Sequence, residues 1–248
     1  MMKSHFLKIA LPAVLGCATS LSTFAAVTIE GTRIIYPENA KEKTVKFFNE
    51  GNKAALMQLW IDNGEIEARP QDADTPFIIM PPVFKLDGQK GQNARISLIN
   101  AQLPKDRESI FWFNALEIPQ KANNLEDDQN YMQIATRSRL KLFYRPNGLA
   151  GNPTTAAENV QWTLKKDASK LTLTGVNNSP YYTTITSIKV NVDSKEYAFE
   201  GVMIDPYSKQ SVSLQNKSLN SLQNAKITYQ IVGDFGLSET KSSQLNFN

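Results

Sequence analysis

Four cations stand at odd-numbered positions of one run, Tyr131 to Arg145: Arg137, Arg139, Lys141 and Arg145. On residue type alone such a row is the solvated basic side of a sheet, and the side chains left to do chemistry are carboxylates, Lys and Tyr. Most other chemistries lack their reagents. Cys17 and His5 are the only Cys and His, and both precede residue 26. The rest of the chain therefore offers no disulfide, no thiol nucleophile, no Ser-His-Asp triad and no His or Cys metal ligand. Glu65 with Glu67, and Glu126-Asp127-Asp128, are the tight acidic groups. A paired-carboxylate glycosidase site is conceivable there. Both groups fall in polar loops, however, and read as ordinary surface. No catalysis, metal or cofactor is expected.

The run that carries the cations has neither Gly nor Pro, and Pro146-Asn147-Gly148 stops it. At helical spacing its apolar residues would scatter around the axis; at period two they align, so it reads as a strand. Met132, Ile134, Thr136, Ser138, Leu140, Leu142 and Tyr144 share one face, and the cations share the other. The second half reads as a core strand of a sandwich with a solvated basic side. The first half follows a polar loop over residues 121–130. A long apolar segment in that position invites pairing with another chain unless it has a partner of its own. A partner is therefore expected, or self-association through the exposed edge when the protein is free.

Length and charge bound the remaining classes. The chain has 248 residues and a formal charge of +3. Lys3 and Lys8 are the only ionised side chains before residue 26, so the remainder is close to neutral. Binding of nucleic acid by bulk charge has no support. Lys3 and Lys8, the apolar stretch 9–15 and the small residues up to Ala25-Ala26 read as an export signal over 1–25. Val14-Leu15-Gly16-Cys17 is a rival lipoprotein box, though Leu15 fits it poorly. No later segment approaches the roughly 20 apolar residues of a membrane span.

Taken in order, residues 27–36 alternate as an edge strand closed by Pro37. Residues 43–49 and 54–61 are two strands joined by a turn at Gly51, and 77–86 is a strand broken by Pro81-Pro82. Residues 93–98, the apolar half of 103–119, and 131–145 complete seven strands of an immunoglobulin-like sandwich. Residues 146–159, rich in Gly, Pro, Ala, Thr and Asn, form a linker. Seven further candidate strands between 161 and 247 make a second all-β unit. The division expected is 26–147 and 148–248.

The run Leu103-Pro104-Lys105-Asp106-Arg107-Glu108-Ser109 through Phe111, Asn114 and Ile118-Pro119 resembles the signature of the periplasmic chaperones of the chaperone–usher pilus-assembly family (PapD-like). Ala115 departs from it, since a larger aliphatic is usual there. Thr32-Arg33, Pro81-Pro82 and the closing Arg137 to Pro146 also match, so the resemblance spans nearly all of the first unit. In the second unit it rests on Asn177, Ser179-Pro180-Tyr181-Tyr182 and Gly233-Asp234-Phe235-Gly236.

The resemblance implies two immunoglobulin-like β-sandwich domains in an L or boomerang arrangement. It also implies roles that spacing alone does not give. On periodicity, Arg33 and Lys141 are solvated face charges; in the family, residues at these positions grip the C-terminal carboxylate of a pilus subunit. Met132, Ile134 and Thr136 would be the donor strand lent to that subunit, with Thr136 weaker because a large aliphatic is usual there. Glu108, Arg145 and Asp234 would form interdomain ion pairs. The partners implied are pilus or fimbrial subunits and an outer-membrane usher, in the periplasm. The loop before the donor strand is long for the short-loop subclass. The cysteine pair of the long-loop subclass is absent, which favours the short-loop, rod-type branch. A pilus subunit or adhesin, and a module anchored by lipid at Cys17, are the competing readings.

Overall fold

The structure, a computed structural model, describes residues 26–99, 102–120, 132–167, 170–192, 195–215 and 225–247. The expected export signal and the loop at 121–130 lie outside the described residues.

Among the described residues, nine strands form the first domain: β1 (Val27–Ile29), β2 (Arg33–Pro37), β3 (Lys43–Asn49), β4 (Ala55–Asp62), β5 (Phe77–Met80), β6 (Val83–Leu86), β7 (Gly91–Leu98), β8 (Ser109–Pro119) and β9 (Thr136–Arg145). They make two sheets, ordered β1-β3-β7-β5 and β2-β9-β8-β4-β6. Alternation decides what each strand buries. In β3, Val45, Phe47 and Asn49 point inward while Thr44, Lys46 and Phe48 point out. Phe47, Met57, Ile96, Phe113 and Leu142, from strands of both sheets, meet in one core. Each such burial contributes about 1.5–3 kcal/mol.

Two expectations for this domain need correction. The single first strand over 27–36 is two strands, β1 on one sheet and β2 on the other. Gly31 lies between them at φ +89°, in the left-handed region where a Cβ is strained, and lets the chain cross. The long strand over 131–145 begins only at Thr136, and residues 132–135 are not in a strand. Pro81-Pro82 does separate β5 from β6, with a cis bond between Met80 and Pro81.

The second domain contains β10 (Gln161–Asp167), β11 (Lys170–Asn177), β12 (Thr183–Val192), β13 (Lys195–Ile204), β14 (Ser208–Leu214), β15 (Lys226–Val232) and β16 (Ser238–Phe247). The order is β13-β12-β15-β16-β10-β11-β14. β16 joins the two halves, pairing with β15 along Ser238–Gln244 and then with β10 from Leu245. Trp162, Leu164, Leu173, Ile188 and Tyr229 lie in its separate core. The stretch expected to be pure linker holds a short helix, α1 (Pro153–Glu158). Its signals are local: Pro153 in the first turn, and Asn152 capping it by accepting from the Thr155 N–H at 2.9 Å.

Candidate functional site at the domain junction

Arg33 and Lys141 are distant in sequence but face each other across the parallel β2–β9 pair, in direct register. β2 starts at Arg33, because the chain has just crossed from the other sheet. On that side β9 is paired from Lys141 to Arg145 only. On its other side β9 pairs with β8 from Thr136 to Tyr144. Among the described residues, then, β9 has an open edge from Thr136 to Leu140, and the two cations stand where that edge ends.

Neither cation is fully hydrated. The Arg33 guanidinium donates to the Val232 carbonyl at 3.0 Å and lies 5.8 Å from the centre of the Phe143 ring. Its Nε is buried without a hydrogen-bond partner. Burial pulls its pKa down, against the opposing pull of Asp234 and Glu108. The Lys141 ammonium lies 5.7 Å from the centre of the Trp112 ring. Burial first, and the Arg33 charge second, hold its pKa below the usual lysine value. Among the described residues no carboxylate approaches Lys141 within salt-bridge distance.

The rest of the cationic row differs, and here the expectation of a solvated basic side fails. Asp62, 2 % exposed, accepts from Arg139 at 2.6 Å, from Asn114 at 2.7 Å and from the Gly64 N–H at 2.7 Å. Arg137 lies 3.6 Å from Asp62 and donates to the Asn114 carbonyl oxygen at 2.7 and 2.9 Å. Each arginine covers a tryptophan, Arg137 over Trp60 at 4.8 Å and Arg139 over Trp112 at 4.4 Å. A guanidinium can satisfy a carboxylate and stack on an indole together. Sequence reading missed this cluster. Its one signal is Asp62 closing the mainly apolar strand β4.

Arg145 closes the row inside the domain interface. Its Nε donates to Glu108 at 2.7 Å, and its two terminal nitrogens donate to Asp234 at 2.6 and 2.8 Å. Glu108 also accepts from the Tyr182 N–H at 2.9 Å, and its own N–H donates to the Pro180 carbonyl at 2.9 Å. The three residues singled out for ion pairs are thus brought together. Burial pushes the Glu108 carboxyl up, against the pull of Arg145. Tyr182 packs its ring 5.6 Å from Phe143, and burial pushes its hydroxyl up to about 12. Buried Asn177 shapes this loop by donating to the Tyr181 and Asp205 carbonyls. Gly236 packs so close to Thr32 that a Cβ would collide with it, which accounts for that glycine in the β15–β16 turn.

The segment ahead of the open edge is exposed. Met132 and Ile134 are 85 % and 69 % accessible, and Thr136 is exposed as well. Gln133 donates to the Pro119 carbonyl, and Ile134 and Thr136 border a groove with Ala26, Glu117 and Pro119. Among the described residues no cluster of His, Cys, Asp and Glu could hold a metal ion.

A two-sandwich protein with a cationic pair at the foot of an open strand edge defines a narrow class, and comparison with known proteins identifies it. Residues 26–150 match the family described as pili and flagellar-assembly chaperone, PapD N-terminal domain, and residues 155–243 match the pili assembly chaperone PapD C-terminal domain. The chain belongs to this family of pilus-assembly chaperones, which are not enzymes. It is 38 % identical over 222 residues to a probable fimbrial chaperone, YadV of Escherichia coli K12, covering 88 % of this chain and 89 % of that one. It is 42 % identical over 192 residues to the chaperone protein MrkB of Klebsiella pneumoniae, covering 77 % and 80 %. The crystal structure of the YadV chaperone superposes with a TM-score of 0.74 at 34 % identity, over 88 % of this chain and 99 % of that one.

Proposed function

We propose that this chain is a periplasmic chaperone that caps pilus subunits by donor-strand complementation and delivers them to an outer-membrane usher. The observation that carries the proposal is the state of Lys141. It is a partly buried ammonium beside Arg33, and no carboxylate pairs with it among the described residues. Holding two cations together, half-desolvated and with no carboxylate paired to Lys141, is unfavourable unless an anion completes the site. A subunit's C-terminal carboxylate fits: it is small, can accept from both side chains, and ends a strand that can lie along the open edge of β9. Arg33 and Lys141 are its anchor. Backbone pairing to that edge supplies affinity, and Met132 and Ile134 fill the subunit's unfinished groove. Thr136, smaller and polar, contributes less there. Glu108, Arg145 and Asp234 hold the second domain against the first and so set the shape of the cleft.

The test is co-purification from the periplasm of subunits with tagged protein. Lys141→Ala and Arg33→Ala should each fold and lose the complex. Either variant retaining subunits at wild-type yield would overturn the anchor.

A further inference from the structure

The donor-strand reading leaves one question that alternation cannot answer. A one-residue slip of a bound strand reverses every side chain and is punished by parity. A two-residue slip restores parity, so Met132 and Ile134 do not exclude it. Cations on β9 repeat at that interval: Arg137, Arg139 and Lys141 follow one another about 6.7 Å apart on the same face. A carboxylate seeking a cation could in principle stop at any of them.

We infer that Asp62 fixes the register of the bound strand by neutralising Arg139 and Arg137, leaving Lys141 with Arg33 as the one anion site on the row. The inference rests on the anchor reading above. Three observations carry it. Asp62 is itself buried and held by Asn114 and the Gly64 N–H, so it cannot swing away. It binds Arg139 at 2.6 Å and lies 3.6 Å from Arg137, while it makes no ion pair with Lys141. The two guanidiniums sit over Trp60 of β4 and Trp112 of β8, at 4.8 and 4.4 Å, on the side of β9 away from the edge where a client strand would run. Asp62 is thus a positioning residue: it acts on the client only through the cations it occupies.

The experiment is a rescue. The probe is a synthetic peptide of alternating apolar residues ending in a free carboxylate, with its C-terminal amide as control. A photo-crosslinker at one fixed position reports register. Lys141→Ala should weaken binding of the free acid by about tenfold to a hundredfold, the worth of one charge-assisted bond. Asp62→Asn with Lys141→Ala should regain most of that loss, for the acid and not the amide. Its cross-link should move two residues toward Ile134. Asp62→Glu with Lys141→Ala, which keeps the negative charge, should not be rescued. If Asp62→Asn proves too unstable, adding Arg137→Gln removes one charge of each sign and leaves Arg139 as the freed cation. A folded Asp62→Asn, Lys141→Ala protein that still fails to bind the acid would overturn the role of Asp62 and leave the anchor standing. Wild-type binding by Lys141→Ala alone would overturn the anchor itself.

Discussion

The two ends of the run from Met132 to Arg145 carry the same alternation and have opposite fates. Leu140, Leu142 and Tyr144 are buried, while Met132, Ile134 and Thr136, each eight residues earlier, stand in solvent. Composition does not separate them, since Ile and Met are no less apolar than Leu. The difference is supply of the other half. At the buried end β2 and β8 flank β9, and the opposite sheet provides Phe47 and Ile96. At the exposed end β2 has not yet begun. Alternation therefore encodes which way a side chain points and leaves open which molecule receives it.

The sharpest way to break this comparison is to place the same charge at both ends. Leu142→Asp puts a carboxylate into a site with no exposure, among side chains that cannot hydrogen-bond it. The cost is several kcal/mol, on the scale of a whole domain's stability, so the first domain should not fold. Far-UV circular dichroism of the purified variant is the check, and a native melt would mean the buried end is not core.

Next in size is the point where the buried end meets the second domain. Arg145→Ala leaves Glu108 buried without its cation and Asp234 without a partner, a loss of about 3 kcal/mol. A lower melting midpoint is expected, together with looser domain packing by small-angle scattering. Glu108→Gln should cost less, because burial already raises the pKa of that carboxyl. A raised folded-state value means that this group favours the fold most below the ordinary carboxylate range. That contribution is lost as pH rises through the raised value. Mild acidification should therefore not loosen the interface through Glu108.

Much of this was legible in the chain. Gly and Pro punctuation with period-two alternation placed most strands within a few residues, and Pro81-Pro82 marked the break between β5 and β6. Three things were not legible. The crossing at Gly31 was passed over: the buried set switches from odd Val27 to even Ile34 and Tyr36, but Ile29 and Ile35 share parity with Val27 and carry the alternation across. The start of β9 at Thr136 depends on where β2 begins, a fact of tertiary structure. The basic face looked solvated because Asp62, distant in sequence, is what neutralises Arg137 and Arg139. The role proposed for Arg33 and Lys141 rests on resemblance, for nothing in their local spacing sets them apart from Arg139.

A smaller effect is expected at the anchor, where stability and binding should move apart. Lys141 has a depressed folded-state pKa, from burial and from Arg33. For a base this means stability is gained as pH rises through the folded value toward the ordinary one, and the charged form is a burden on the free protein at neutral pH. Lys141→Met removes that burden and keeps the stem's apolar contacts, so the melting midpoint should stay or rise slightly while subunit binding is lost. Wild-type binding should likewise fade on alkalinisation before an ordinary lysine would deprotonate. A binding curve flat through that range would separate the affinity from Lys141's charge.

The smallest expected change in stability is at the exposed end, and it is the most informative. Ile134→Asp and Ala135→Asp add the same charge to neighbouring exposed positions. In the free protein both should melt within about 0.5 kcal/mol of wild type, as surface substitutions do. On binding they part. A strand laid on the edge of β9 extends the sheet, and pleating sends residue 134 toward the client's core and residue 135 away from it. Ile134→Asp would force a carboxylate into an apolar groove at several kcal/mol, abolishing the complex, whereas Ala135→Asp keeps its charge in water. Subunit yield on co-purification, set beside the melting midpoint of each free variant, reads both quantities from one preparation. Equal loss of binding at the two positions would mean that charge on this segment repels the client wherever it points. A melt that collapses at Ile134 alone would return the residue to the first domain's own core and remove the exposed end from the comparison.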